Sequence, residues 1–101
     1  LVICLLKKIK NRCDFASNDV DASLIIQVAT EFKKQVPEDL LVVGYDGTDM
    51  VRLFKPELTT IVQPIEEMAA VAVSTLMDRI EGKETPHKII LPVTVHQGTT
   101  A

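Results

Sequence analysis

The chain has no tryptophan, one tyrosine and three phenylalanines in 101 residues. With aromatics at 4%, it carries little ring surface for stacking on bases or sugars. The glycine-rich loops that cradle phosphates are missing, as are the nucleophile elbow of hydrolases and the HExxH helix of zinc proteases. Cysteine is scarce. Cys4 and Cys13 have neither CxxC spacing nor a paired histidine. Reduced thiols in a reducing compartment are therefore expected, not a disulfide or a metal site. No apolar run spans a bilayer: residues 1–6 are too few, and no small-residue cleavage site follows them. Positive charge is thin as well, with a formal net charge of −3. The one basic cluster, Lys7, Lys8, Lys10 and Arg12, reads as the solvated end of a helix and not as a nucleic-acid patch. The first residue is not Met, which is compatible with a fragment or a processed piece.

What remains is the composition of a soluble globular domain, 47% hydrophobic and 25% charged, long enough for one modest core. Its organising stretch is 40–63. Leu40, Leu41, Val42 and Val43 form an apolar run too short for a helix, as expected of a strand covered on both faces. Gly44, Tyr45, Asp46 and Gly47 end that run. A carboxylate thus lies at the strand's carboxyl end, the edge where open α/β sheets bind ligands.

Taken in order, residues 1–12 read as the tail of a helix and 14–17 as a short strand. Asn18 and Asp19 offer caps for a helix over 20–34. Ala22, Ile25, Ala29 and Phe32 should face the core. Ser23, Gln27, Thr30, Lys33 and Lys34 form the polar face, which Ile26 interrupts as a candidate partner contact. A strand is expected over 40–45, a short helix over 49–54 capped by Thr48, and a strand over 58–62. Pro64 opens a helix over 65–81, with an apolar stripe of Ile65, Met68, Ala69, Ala72, Leu76 and Ile80 that Val73 and Met77 widen. Gly82 stops it. A strand over 89–95 is interrupted by Pro92, and 96–101 reads as a polar tail. The alternation argues for an α/β fold with a largely parallel sheet.

The residues carry little catalytic chemistry. His87 and His96 read as surface histidines, Met68 and Met77 as core packing. Asp46 and Asp49 share a turn but lack a third metal ligand. Asn18 and Asp46 stand out, because each ends a strand, and parallel strands bring such ends to one edge. An Asp accepts hydrogen bonds while an Asn amide donates and accepts, which suits the hydroxyls of a sugar or the edge of a nucleoside. The plainer alternative is that Asn18 caps a helix and Asp46 shapes a turn.

Phe15-Ala16-Ser17-Asn18-Asp19, Val36-Pro37-Glu38-Asp39-Leu40, Val43-Gly44-Tyr45-Asp46, Leu58-Thr59-Thr60-Ile61-Val62-Gln63-Pro64 and Gly98-Thr99-Thr100, in that order, closely resemble the C-terminal part of LacI/GalR-type bacterial transcriptional repressors. The resemblance implies a periplasmic-binding-protein-like (type I) effector domain of two α/β lobes, with 1–101 as its C-terminal portion holding segments of both. It implies effector contacts from Asn18, Asp46 and Gln63, the last at a crossover between lobes. It implies a homodimer through Ser23, Ile26, Gln27, Met50 and Phe54. The effector would be a mono- or disaccharide or a sugar phosphate. Operator DNA would be reached only through an N-terminal helix-turn-helix that this stretch lacks. A cytoplasmic, non-enzymatic regulator without cofactor, metal or membrane contact follows. Asp14 stands where the family's first strand is usually apolar. Gly47 stands where the family often has a second polar residue, a change that would enlarge the pocket or remove a contact. A periplasmic sugar carrier of the same fold is the alternative, and a small enzyme using Asp46 with a histidine is a weaker one.

Overall fold

In the computed structural model, residues 12–101 are described. The expected helix over 1–12, Cys4 and most of the basic cluster lie outside them, while Arg12 opens a strand. Three strands run parallel, β1 (Arg12–Phe15), β2 (Leu40–Asp46) and β3 (Thr59–Val62), and β4 (Thr94–His96) returns antiparallel along β3. The sheet order is β1-β2-β3-β4. Helix α1 (Asp19–Glu31) links β1 to β2, the 3-10 turn η1 (Asp49–Leu53) links β2 to β3, and α2 (Ile65–Ile80) links β3 to β4. The parallel-dominated α/β sheet expected from the sequence is present.

Strand β1 lies two residues earlier than expected. Its register pairs Asp14 with Val42 and Phe15 with Val43, after which Asn18 caps α1 and the exposed Ser17 bonds to Asp21 in its first turn. Residues that must donate side chains to a helix start leave the ladder.

On α1, Asp19, Ala22, Ile26 and Ala29 are the buried residues, and their spacing makes one helical stripe. Two alanines on that stripe let the helix axis approach β2, whose Val42 is fully buried. Ile26, expected on the polar face, is therefore corrected: it joins Ala16, Ala22, Val42, Val51 and Leu58 in the core. Ile25 packs on the margin of that core. Phe32, expected inside, is 74% exposed. The helix ends before it could carry Phe32 round. Lys33 takes φ +58, and Lys33 and Lys34 donate their backbone N–H groups to Thr30 and Ala29.

Cover on both faces of β2 holds for the α1 side alone, where Val42 and Gly44 are buried. Leu41, Val43 and Tyr45 on the other face are half-buried. The core packing expected of Met68 and Met77 on α2 is likewise corrected, since both are exposed. The helix forms over the expected range, but none of its residues is buried. It extends away from the sheet in a molecule of 58 × 29 × 18 Å, with Met68, Ala72 and Leu76 facing an open concavity shared with Ile89, Ile90 and Leu91. The strand expected over 89–95 shrinks to Thr94–His96, because pairing begins only past Pro92, which has no N–H to donate.

The tail is not loose. Thr100 is fully buried, its hydroxyl donating to the Val42 carbonyl at 2.7 Å and accepting from the Thr59 N–H at 2.9 Å. Its own carbonyl accepts from the Val42 N–H at 2.9 Å. The Gly98 N–H donates to the Thr59 hydroxyl, and the Thr99 N–H to the Glu57 carbonyl. The segment wedges between β2 and β3 where their ladder begins. Thr100→Val keeps the shape but leaves the Thr59 N–H and a Val42 carbonyl lone pair without that partner. The expected loss is about 2 kcal/mol in urea unfolding, and an unchanged midpoint would contradict the wedge.

Candidate functional site

The carboxyl ends of β1, β2 and β3 share one edge of the sheet, and three side chains expected to serve a ligand sit along it. Asn18, half-buried, caps α1: its Oδ1 accepts the Asp21 N–H at 2.8 Å. Its amide nitrogen donates to Asp21 Oδ2 at 3.3 Å, and the Ser17 hydroxyl donates to the same oxygen at 2.6 Å. The capping role weighed for Asn18 in the sequence is thus real, and it fixes the side chain's rotamer at the edge.

Asp46 is the last residue of β2, one position beyond the expected strand end. Its φ is +116, a conformation that disfavours any residue with a Cβ. Such a placement costs on the order of 1–3 kcal/mol and clusters at functional sites. Gln63 braces it twice. The Gln63 amide nitrogen donates to Asp46 Oδ1 at 2.7 Å, and the Gln63 backbone N–H donates to the Asp46 carbonyl at 3.1 Å. Asp46 and Gln63 are therefore one unit across β2 and β3, and among the described residues no donor meets Oδ2 of Asp46, which can accept from a ligand. Phe15 and Tyr45 add a tilted ring pair at the same ends, centroids 6.5 Å apart.

Gly47 follows at φ +71, and a Cβ there would lie 2.6 Å from Val62. The residue is glycine because β3 presses against the turn, and Gly47 also lines a concavity with Thr48, Asp49 and Gln63.

The residue that sequence reasoning missed is Asp19. It is 3% exposed. Its Oδ2 accepts the N–H groups of Gly47 at 2.9 Å and Thr48 at 3.1 Å, with the Thr48 hydroxyl at 3.4 Å. Its Oδ1 accepts the Thr60 hydroxyl at 2.5 Å. No ion pair to a Lys or Arg is formed by it among the described residues. Gly44 makes the room, since a Cβ there would lie 2.5 Å from Asp19 Oδ1 and 2.8 Å from Leu58 Cδ2. In the sequence Asp19 reads as a helix-start acid. Its only further signal is the presence of Gly and Thr at the strand positions that the register later aligns, Gly44 with Thr60.

Of the expected partner residues, Ser23, Ile26, Gln27 and Phe54 line one groove between α1 and the end of η1. Met50 stands outside it, 57% exposed on η1. The expected helix over 49–54 is a 3-10 turn, and the Thr48 hydroxyl points to Asp19 instead of capping it. Gln63 also lines two concavities, one with Gly47, Thr48, Asp49 and the start of α2, the other below α2 with Tyr45 and His87. His96, expected at the surface, is half-buried and bonded to Glu57 Oε1 at 2.7 Å. It pairs with Thr60 and reaches back toward the start of β3, away from Asp46. No group of three or more His, Cys, Asp or Glu side chains able to hold a metal occurs among the described residues. No described helix is long and apolar enough to cross a membrane.

Residues 7–101 match the periplasmic binding protein-like domain. The chain belongs to that family. A sucrose operon repressor of Streptococcus mutans serotype c is 39% identical over 84 residues, covering 83% of this chain and 26% of the relative. The sucrose operon repressor of Pediococcus pentosaceus is 43% identical over 89 residues, covering 86% and 27%. Among solved structures, the cellobiose complex of the transcriptional regulator CelR superposes with a TM-score of 0.83 at 30% identity, covering 88% of this chain and 28% of that one. The lac repressor dimer bound to operator and the anti-inducer ONPF gives 0.83 at 30% identity, covering 87% and 31%. This periplasmic-binding-protein-like chain spans about a quarter of the length of the curated relatives it matches. The resemblance to LacI-type repressors read from the motifs stands.

Gly47→Ala places a methyl against Val62 at a positive φ. A loss of about 1–3 kcal/mol in urea unfolding is expected, and a wild-type midpoint would show that the turn has slack.

Proposed function

We propose that this chain is the C-terminal portion of the effector-binding and dimerisation domain of a sugar-responsive transcriptional repressor. The observation that carries the reading is Asp46: a carboxylate held at φ +116 at the carboxyl edge of a parallel sheet, braced on one oxygen by Gln63 and, among the described residues, unmet on the other. The effector is a mono- or disaccharide or a sugar phosphate, contacted by Asn18, Asp46 and Gln63. Relatives and structural neighbours named for sucrose, cellobiose and lac regulation support a sugar over a nucleoside. The protein works in the cytoplasm, catalyses nothing and needs no cofactor. Its operator contacts belong to a separate helix-turn-helix. That the curated relatives above are repressors favours a regulator over a periplasmic carrier.

Dimerisation uses the groove of Ser23, Ile26, Gln27 and Phe54 together with the exposed Met50 on η1. Ile26 serves there as part of the wall and not as a projecting knob, since it is 9% exposed. Sugar binding acts by shifting a population between operator-binding and non-binding states.

For the full-length protein, Asp46→Ala is expected to weaken sugar binding at least about tenfold in calorimetry, by removing a charged hydrogen-bond acceptor, while the thermal transition stays cooperative. Undiminished affinity would exclude Asp46 from the site. Phe54→Asp sets an unpaired charge in the groove and is expected to shift the sedimenting species to monomer. An unchanged mass would move the interface elsewhere.

A further inference from the structure

Two of the proposed ligand residues stand beside residues that share a single buried group. Asn18 is followed by Asp19, and Asp46 is followed by Gly47 and Thr48, whose N–H groups both point at Asp19 Oδ2. The same carboxylate reaches β3 through the Thr60 hydroxyl. Strand pairing alone leaves the loops at strand ends free to pivot. Here the β1–α1 corner, the turn after β2 and the middle of β3 are tied to one side chain that solvent barely reaches. Charge-assisted hydrogen bonds are about twice as strong as neutral ones, and four donors converge on this carboxylate.

We infer that Asp19 is a positioning residue for the effector site. It touches no ligand, and it fixes the placement of Asp46 relative to Asn18 by holding the Gly47–Thr48 turn against the start of α1. The inference rests on the reading of Asp46 as an effector contact. A sugar whose hydroxyls must meet an amide and a carboxylate at once tolerates little drift between them, because displacements of about an ångström at a site weaken such bonds steeply. Asp19 therefore acts on affinity through geometry, and its influence should vanish when Asp46 no longer contributes.

The test uses the full-length protein with sucrose, cellobiose and ribose titrated in turn, the sugar that binds serving as probe. Asp19→Asn is nearly isosteric. Its oxygen can still accept from the turn but without the charge that strengthens those bonds, and its amide nitrogen no longer accepts the Thr60 hydroxyl proton. Affinity is measured for wild type, Asp19→Asn, Asp46→Asn and the double variant. Asp19→Asn is expected to lower affinity about tenfold in the wild-type background and less than about twofold in the Asp46→Asn background. Equal losses in both backgrounds would mean a general structural role and would overturn the inference, as would no loss in either. If Asp46→Asn itself leaves affinity unchanged, the reading of the effector site fails, a result distinct from the other two. Should Asp19→Asn not fold, Thr60→Val removes one of the donors to the carboxylate and leaves the turn contacts. A loss of about threefold that again disappears with Asp46→Asn supports the positioning role, and a loss that persists contradicts it.

Discussion

A carboxylate without a cationic partner among the described residues has to be met by hydrogen bonds, or it destabilises whatever surrounds it. Asp19 is met by two backbone N–H groups and two hydroxyls drawn from segments about thirty and forty residues away. Much else depends on that arrangement. Gly44 has no side chain because the carboxylate occupies the space. Thr60 carries a hydroxyl inside the core because the carboxylate needs a donor. Thr48, though exposed, turns its hydroxyl toward the carboxylate and does not cap η1. The turn that displays Asp46 therefore has its far side fixed, and the near side is fixed by Gln63.

Two constraints complete the frame at the opposite end of the sheet. Thr100 supplies a hydroxyl and a carbonyl where β2 and β3 begin to diverge, and His96 joins Glu57 beside it. The sheet is thus tied at both ends of β3 by side chains rather than by ladder bonds alone. Between these ties β3 runs directly into Gln63 and Pro64 and so into α2. A ligand that pulls on Asp46 and Gln63 acts at the joint from which α2 departs, while η1, on the same turn, borders the groove proposed for the partner subunit. On the proposed reading effector, partner and lobe crossover would converge within 40–63, and coupling would require only that two arrangements of that joint differ in ligand contacts.

Much of this was legible in the residues. The β2 run, the caps at Asn18, the Pro64 helix start and the acid at the sheet edge all follow from local chemistry. What was not legible depended on packing. Ile25 and Ile26 are adjacent and equally apolar, and Ala22 and Ala29 fit a stripe through either. The choice fell to Ile26 because Asp19, which the sequence offers only as a cap, belongs on the same buried stripe. Asp19 itself was hidden because its donors come from a turn and a strand that only the register brings near. The polar tail concealed Thr100, since a threonine that bridges two strands has the same local signature as one in water. The stripe on α2 was read correctly as apolar, and its periodicity says nothing about what lies opposite it.

The central claim is that Asn18 and Asp46 form one wall of a sugar site whose spacing is set from behind. The most direct measurement is a crystal structure of the full-length protein with its bound sugar. The account expects sugar hydroxyls within about 3 Å of Asp46 Oδ2 and of the Asn18 amide, with the Gly47 and Thr48 N–H groups still on Asp19. A sugar bound with no oxygen near either side chain, or bound there with the Asp19 contacts broken, would contradict it.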